Sequence, residues 1–263
     1  TGPGPAWPPN AGSGGGPGSA ALPGYRADPR AAWRTAWRDR ALAAAPGAAR
    51  ASLLGQAGLP ALPSRPSVLL VRPDHLGDVL FCAPAVAELR TAWPEARITL
   101  LVGPWSRDVA LGLPGLDAVA TLPFPWYDRA PRGAPWRPYA RLVRARGRMA
   151  GLPGAPYDLA IVLRDDDYWG AWLTALAGIP VRAGHDRPGV RRFVTHALAT
   201  PDGPRHAVEE SAALIRAVVG RAPALLGPAI AAGGPSGRAR RPGPLRFAPP
   251  EANWAEWVRV LAE

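Results

Sequence analysis

The stretch Ser67–Trp93, SVLLVRPDHLGDVLFCAPAVAELRTAW, opens with an apolar run, Val68–Val71, short and β-branched enough for a buried parallel strand. A compact polar turn follows, Arg72-Pro73-Asp74-His75-Leu76-Gly77-Asp78. Val79, Leu80, Ala83, Val86, Ala87 and Leu89 then recur at helical spacing. The order is strand, tight loop, helix. In an open α/β sheet, the crevice at the carboxyl end of such a strand is where ligands bind. Gly77 lets the backbone come close to a ligand, and Asp78 places a carboxylate at the expected helix start.

Outward from this unit the alternation continues. Strands are expected at 97–103, 116–122 and 157–163, with helices over 105–112, 139–150 and 168–178, the 139–150 helix being strongly basic. Residues 181–184 and 193–196 suggest short edge-like strands, and a helix over 206–219 closes the series. Repeated strand–helix alternation predicts an α/β fold with a doubly wound parallel sheet. Residues 1–24 are Gly, Pro, Ser and Ala, too poor in large apolar groups to fold alone. Residues 25–66 hold a helical stretch with Trp33 and Trp37 one turn apart, then a Pro-rich linker. That helix either packs its tryptophans on the main domain or rests on anionic lipid. Residues 67–220 form the α/β domain, and 221–263 are a low-complexity linker and the start of another piece. A first residue of Thr rather than Met suggests an incomplete chain.

Apolar residues make up 48% of the 263, ample for a core, and the net charge is +11 with every one of the 31 basic residues an Arg. The uniform use of Arg beside abundant Ala, Gly and Pro points to compositional drift, while the excess charge favours anionic partners such as phosphates or a membrane surface. No nucleic-acid motif accompanies the scattered Arg, so nucleic acid is not expected as a partner. The single cysteine, Cys82, rules out an internal disulfide and a multi-Cys metal site; within a helix it is expected as a buried small residue. There is no run of 18 apolar residues for a transmembrane helix and no signal-peptide pattern at the start. The expected setting is cytoplasmic, with peripheral contact at the inner face of the cell membrane.

Three groups of residues carry candidate chemistry. In the 74–78 loop there is no GxGxxG or GxxxxGK[ST] pattern; Asp78 is either a helix cap or a general base for a bound hydroxyl. Asp165-Asp166-Asp167, after Arg164 at the end of the fourth strand, is either a metal-holding cluster for a nucleotide pyrophosphate or a polar loop whose last Asp caps the next helix. His185-Asp186-Arg187 and the nearby Arg residues match no zinc spacing but suit anionic groups. His206 is expected to cap or pack at its helix start.

In order along the chain, VLLVRPDHLGDVLFCAPAVAELRTAWPEARITLLVGPW, LPGLDAVATLPFPWYD, YDLAIVLRDDDYWGAWLTALAGIPVRAGHD and RHAVEESAALIRAVVG resemble the first domain of glycosyltransferase family 9, the heptosyltransferase-like enzymes of bacterial surface polysaccharide assembly. The resemblance covers about residues 67–220. It implies a Rossmann-like domain, the N-terminal, acceptor-binding half of a GT-B glycosyltransferase. It further implies inverting, metal-independent transfer with no cofactor, from a nucleotide-sugar donor such as ADP-heptose to a lipid-linked or polysaccharide acceptor in lipopolysaccharide biosynthesis. Asp78 matches the proposed base in the "LGD" turn. Gly77, His75 and Arg72 are then the expected acceptor contacts, with Arg164, His185 and Arg187 on the cleft wall. The glycine-rich donor segment of the family has no counterpart before Glu263, so the chain is expected not to transfer sugar by itself. The alternatives are a metal-dependent transferase using Asp165–Asp167 and a non-catalytic binding module.

Overall fold

The computed structural model describes residues 61–125, 127, 137–199 and 206–221, all within the second of two compact units, Asp39–Glu263. The expectations for residues 1–24, for the Trp33/Trp37 helix and for the stretch after Arg221 lie outside the described residues. Among the described residues six strands form one sheet: β1 Ser67–Val71, β2 Arg97–Val102, β3 Ala118–Thr121, β4 Leu159–Val162, β5 Val181–His185 and β6 His196–Leu198. Every pairing is parallel and the order is β3-β2-β1-β4-β5-β6, the order of a doubly wound Rossmann sheet. The helices are α1 Leu76–Leu80, α2 Ala83–Ala92, α3 Arg107–Leu111, α4 Arg137–Met149, α5 Tyr168–Leu176, α6 Pro188–Arg191 and α7 Ala207–Gly220, with a 3-10 turn at Pro104–Ser106.

The strands alternate between two cores. From β1, Val68 and Leu70 face the core shared with α2 and α7, where Val86, Leu89, Leu214, Ile215 and Val218 are buried. Leu69 and Val71 face the other core, with Leu142 of α4 and Trp169, Trp172 and Leu173 of α5. Because both faces are covered, the strands are continuous apolar runs rather than alternating ones. Glu88 of α2 and Arg216 of α7 are joined at 2.8 Å on the first face.

Three expectations need correction. The helix after the first loop is two helices, α1 and α2, because Pro84 in the first turn of α2 has no N–H to continue the ladder. Residues 181–185 are not an edge strand: β5 lies between β4 and β6 and is buried along its whole length. The strand expected at 193–196 begins only at His196, since the Thr195 side chain turns to accept from the Arg182 amide at 2.8 Å.

Two helical glycines behave oppositely. A Cβ at Gly170 in α5 would overlap Asp167 Oδ2 and come within 2.7 Å of Val71 Cγ1, whereas one at Gly147 in α4 meets nothing within 4 Å. Gly147→Ala is expected to stabilise by about 0.5–1 kcal/mol through helix propensity. Gly170→Ala is expected to destabilise by about 1–3 kcal/mol through overpacking. Urea unfolding of the two variants reads the opposite signs.

Candidate functional site

At the carboxyl end of β1 the chain turns beside the ends of β4 and β2, where the strand order reverses. Arg72 is almost wholly buried and continues the sheet, its N–H donating to Leu101 O at 3.0 Å and its guanidinium to Leu163 O at 3.4 Å. A guanidinium in such a place requires an anion, and Asp74 supplies it, with Arg72 Nε 2.5 Å from Asp74 Oδ2 and Asp74 1% exposed. The other oxygen of Asp74 accepts from Arg164 Nη1, which reaches in from the end of β4. Arg164 in turn pairs with Asp166 and lies 5.7 Å from the Tyr127 ring. The Asp74 carbonyl accepts from Trp105 Nε1 at 3.0 Å and Ser106 Oγ at 2.9 Å, which ties the turn after β2 to the loop. Burial raises the Asp74 pKa and the two guanidiniums pull it back.

Asp78 does not cap the helix. His75 occupies the N-cap in extended backbone without a side-chain hydrogen bond, and Val79 N donates to His75 O at 3.1 Å to close the first turn. Asp78 is thus the third residue of α1, half-buried, and among the described residues its carboxylate has no hydrogen-bond or ion-pair partner. Gly77 beside it is exposed, and a Cβ there would enter open space. His75 is exposed with its ring 6.3 Å from that of Trp105.

The three carboxylates after β4 face three ways. Asp165 lies 3.5 Å from Arg187 Nε, Asp166 pairs with Arg164, and Asp167 is a buried N-cap accepting from Gly170 N at 2.9 Å. Among the described residues no three acidic, His or Cys side chains converge as a metal site would need. Among the described residues the second oxygen of Asp167 is buried without a hydrogen-bond partner, and burial pushes this carboxyl up to about 7. His185 is also buried; its Nε2 lies 3.3 Å from Leu163 O, which can only accept, so that nitrogen carries the proton. Burial lowers the His185 pKa by disfavouring the charged ring. The structure therefore brings Arg72, Arg164, His185 and Arg187 to one end of the sheet. Arg72 and His185 stand behind the surface, while Arg164 and Arg187 reach it with side chains 34% and 46% exposed.

Glu210 of α7 joins this end, half-buried and coupled electrostatically to Asp165, Arg72 and Arg187. Sequence reasoning missed it and missed the role of Asp74. The signal for Asp74 was a carboxylate two residues from an Arg that terminates a fully apolar strand. His206 caps α7, accepting from Val208 N at 3.3 Å, and its ring meets Phe81 edge-on at 4.8 Å. Cys82 is buried, its thiol pushed up to about 12 by desolvation, so it is a packing residue.

Asp74→Ala leaves Arg72 buried without its anion and is expected to cost about 3–5 kcal/mol in chemical unfolding. Asp167 adds a pH dependence of known sign. Its proton is held to a higher pH in the folded chain than the ordinary value of 3.8. The folded state therefore binds the extra proton, and stability falls as pH rises through the window between about 4 and 7. Asp167→Asn keeps the cap acceptor and removes the titration. Its unfolding free energy should decline less steeply over that window than the parent's, and identical slopes would refute the assignment.

No family model matches the chain, and no curated protein matches it in sequence. Solved structures do. The fold is similar to E. coli ADP-heptose LPS heptosyltransferase II, at 16% identity and a TM-score of 0.51, over 74% of this chain and 50% of that one. A family 9 glycosyl transferase from Veillonella parvula aligns at 20% identity and TM-score 0.48 over 58% of this chain and 41% of that one. The E. coli heptosyltransferase WaaC with ADP aligns at 21% identity and TM-score 0.45 over 57% and 46% of the two chains. The chain thus spans about half the length of these structures. Its α/β sheet has the fold seen in heptosyltransferase II from E. coli.

Proposed function

We propose that residues 67–220 are the acceptor-binding half of an inverting glycosyltransferase in which Asp78 is the general base. The carboxylate takes the proton of an acceptor hydroxyl as that oxygen bonds to the anomeric carbon of a nucleotide sugar. The bond from the anomeric carbon to the phosphate oxygen breaks, and the nucleoside diphosphate leaves with the electron pair. One observation supports this reading above the others. Asp74, Asp165, Asp166 and Asp167 are each engaged by a protein partner, whereas Asp78 is open at the switch point of the sheet with free space over Gly77. A base must have its lone pair available, and a fixed backbone beside it keeps the attack geometry.

In this arrangement the acceptor lies over Gly77 and His75, with Arg164 and Arg187 at the cleft wall. Arg72 and His185 act from behind, by fixing the loop and the end of β4. Transfer without a metal is part of this reading, and the engagement of the carboxylates after β4 by Arg164, Arg187 and the α5 cap supports it. The donor diphosphate is steadied by a second domain. The donor named for the E. coli structure, ADP-heptose, is the first nucleotide sugar to test, with lipid-linked saccharides as acceptors at the inner face of the membrane.

The test is made on the protein as the gene encodes it. Asp78→Asn should lower sugar transfer by about 10²–10⁴-fold, the usual worth of a positioned base, with thermal stability and donor binding unchanged. Gly77→Ala, which the fold accommodates, should raise the acceptor KM. Parental turnover in Asp78→Asn would overturn the reading.

A further inference from the structure

The helix α4 has no role in the site described above, yet it is the most one-sidedly charged element of the fold. Leu142, Ala145 and Met149 face the core against α5. Its other faces carry five arginines and no acidic residue. Arg137, Arg141, Arg144 and Arg148 fall at spacings of four, three and four, which align them in one stripe along the helix. Arg137, Arg144, Arg146 and Arg148 are exposed and have no ion-pair partner among the described residues. Like charges at this spacing repel on a helix. Two other long helices mix the signs instead: α2 carries Glu88 and Arg90, and α7 carries Glu209, Glu210 and Arg216. Beside the stripe run Ala140, Val143 and Gly147, with Val143 49% exposed, so the crest between guanidiniums is short and apolar.

We infer that this face of α4 docks on an anionic phospholipid surface. Arginines flanking a low apolar crest are the pattern of a helix lying at a bilayer interface, where guanidiniums meet phosphates and the crest rests among headgroups. A nucleic acid would offer phosphates too, but single-stranded binding draws on exposed rings for stacking. The one ring on α4, Tyr139, packs at 5.2 Å on Trp169 instead. The topology adds direction. Because α4 carries the chain from the end of β3 back to the start of β4, its N-terminal end and Arg137 lie on the side of the sheet where the site opens. The inference stands on this charged face alone and not on the transfer reaction.

The test is cosedimentation of the full chain with phosphatidylcholine vesicles with and without phosphatidylglycerol. Anionic vesicles should bind and neutral ones should not, with binding weakened by salt. Each arginine near the surface is worth about 1 kcal/mol, or roughly fivefold in affinity, so Arg137→Gln/Arg144→Gln/Arg148→Gln together should cost about a hundredfold. Arg144→Gln alone should cost about fivefold and keeps the comparison interpretable if the triple variant folds poorly. The control is Arg65→Gln/Arg97→Gln/Arg107→Gln, which removes the same charge from other exposed positions and should bind much like the parent. Equal losses in the two triple variants, binding that ignores phosphatidylglycerol, or stripe-dependent binding of a polyribonucleotide without binding of vesicles would each overturn the inference. Vesicle binding that survives Asp78→Asn is expected, so failure here and failure of the transferase reading are separate results.

Discussion

The buried carboxylate of Asp74 is the contact on which the end of the sheet depends. It lies between the guanidiniums of Arg72 and Arg164, and its own carbonyl accepts from Trp105 and Ser106. Residues after β1, β2 and β4 therefore meet at one residue, through its carboxylate and its main-chain carbonyl. Such a cluster adds little net stability over an apolar substitute, because its carboxylate and two guanidiniums must give up water to form it. Its effect is specificity. With three strand ends locked, the His75–Asp78 turn has one place to go, and α1 starts there.

That lock also explains how the carboxylates at this end differ in character. Arg164 engages Asp74 and Asp166 together, Arg187 takes Asp165, and Asp167 is drawn under α5 to accept from Gly170 N. Burial raises the Asp167 carboxyl to about 7, while among the described residues Asp78 stays half-exposed and unengaged. Acidic residues of one chemical type thus become ion-pair partner, cap and open carboxylate through their surroundings alone. It is this sorting that supports a role for Asp78 as base.

The arginines are sorted in the same way, which the net charge of the chain does not reveal. Arg182 is buried, donating to the carbonyls of Phe193 and Ile179, and burial lowers its pKa to about 10. Arg90 ties α2 to the carbonyls of Pro94, Ala96 and Gly115 and to Asp117. These are internal struts that satisfy backbone acceptors where loops enter strands. Among the described residues Arg137, Arg144, Arg146 and Arg148 of α4 have no such work, and their charge faces outward.

The sequence by itself determined the layering. The run Val68–Val71 is apolar at every position, which only a strand covered on both faces requires, and the helical periodicities between such runs left a parallel doubly wound sheet as the answer. It also placed the Gly77-Asp78 loop at the carboxyl end of the sheet, since a Gly-Asp pair after the first strand lies there by connectivity alone. Local pattern did not show that β5 is interior, because short strands with an Arg and a Gly have the composition of an edge; only pairing with β4 and β6 buried them. It did not separate cap from open carboxylate at Asp78, since that depends on where the helix starts, one residue after His75. Nor did it find the Asp74 lock or Glu210, whose partners are brought in from β4 and from the far end of the domain. Periodicity is a property of neighbours in the chain and was legible; the protonation, exposure and partners of a charged group are properties of neighbours in space, and those the tertiary structure decided.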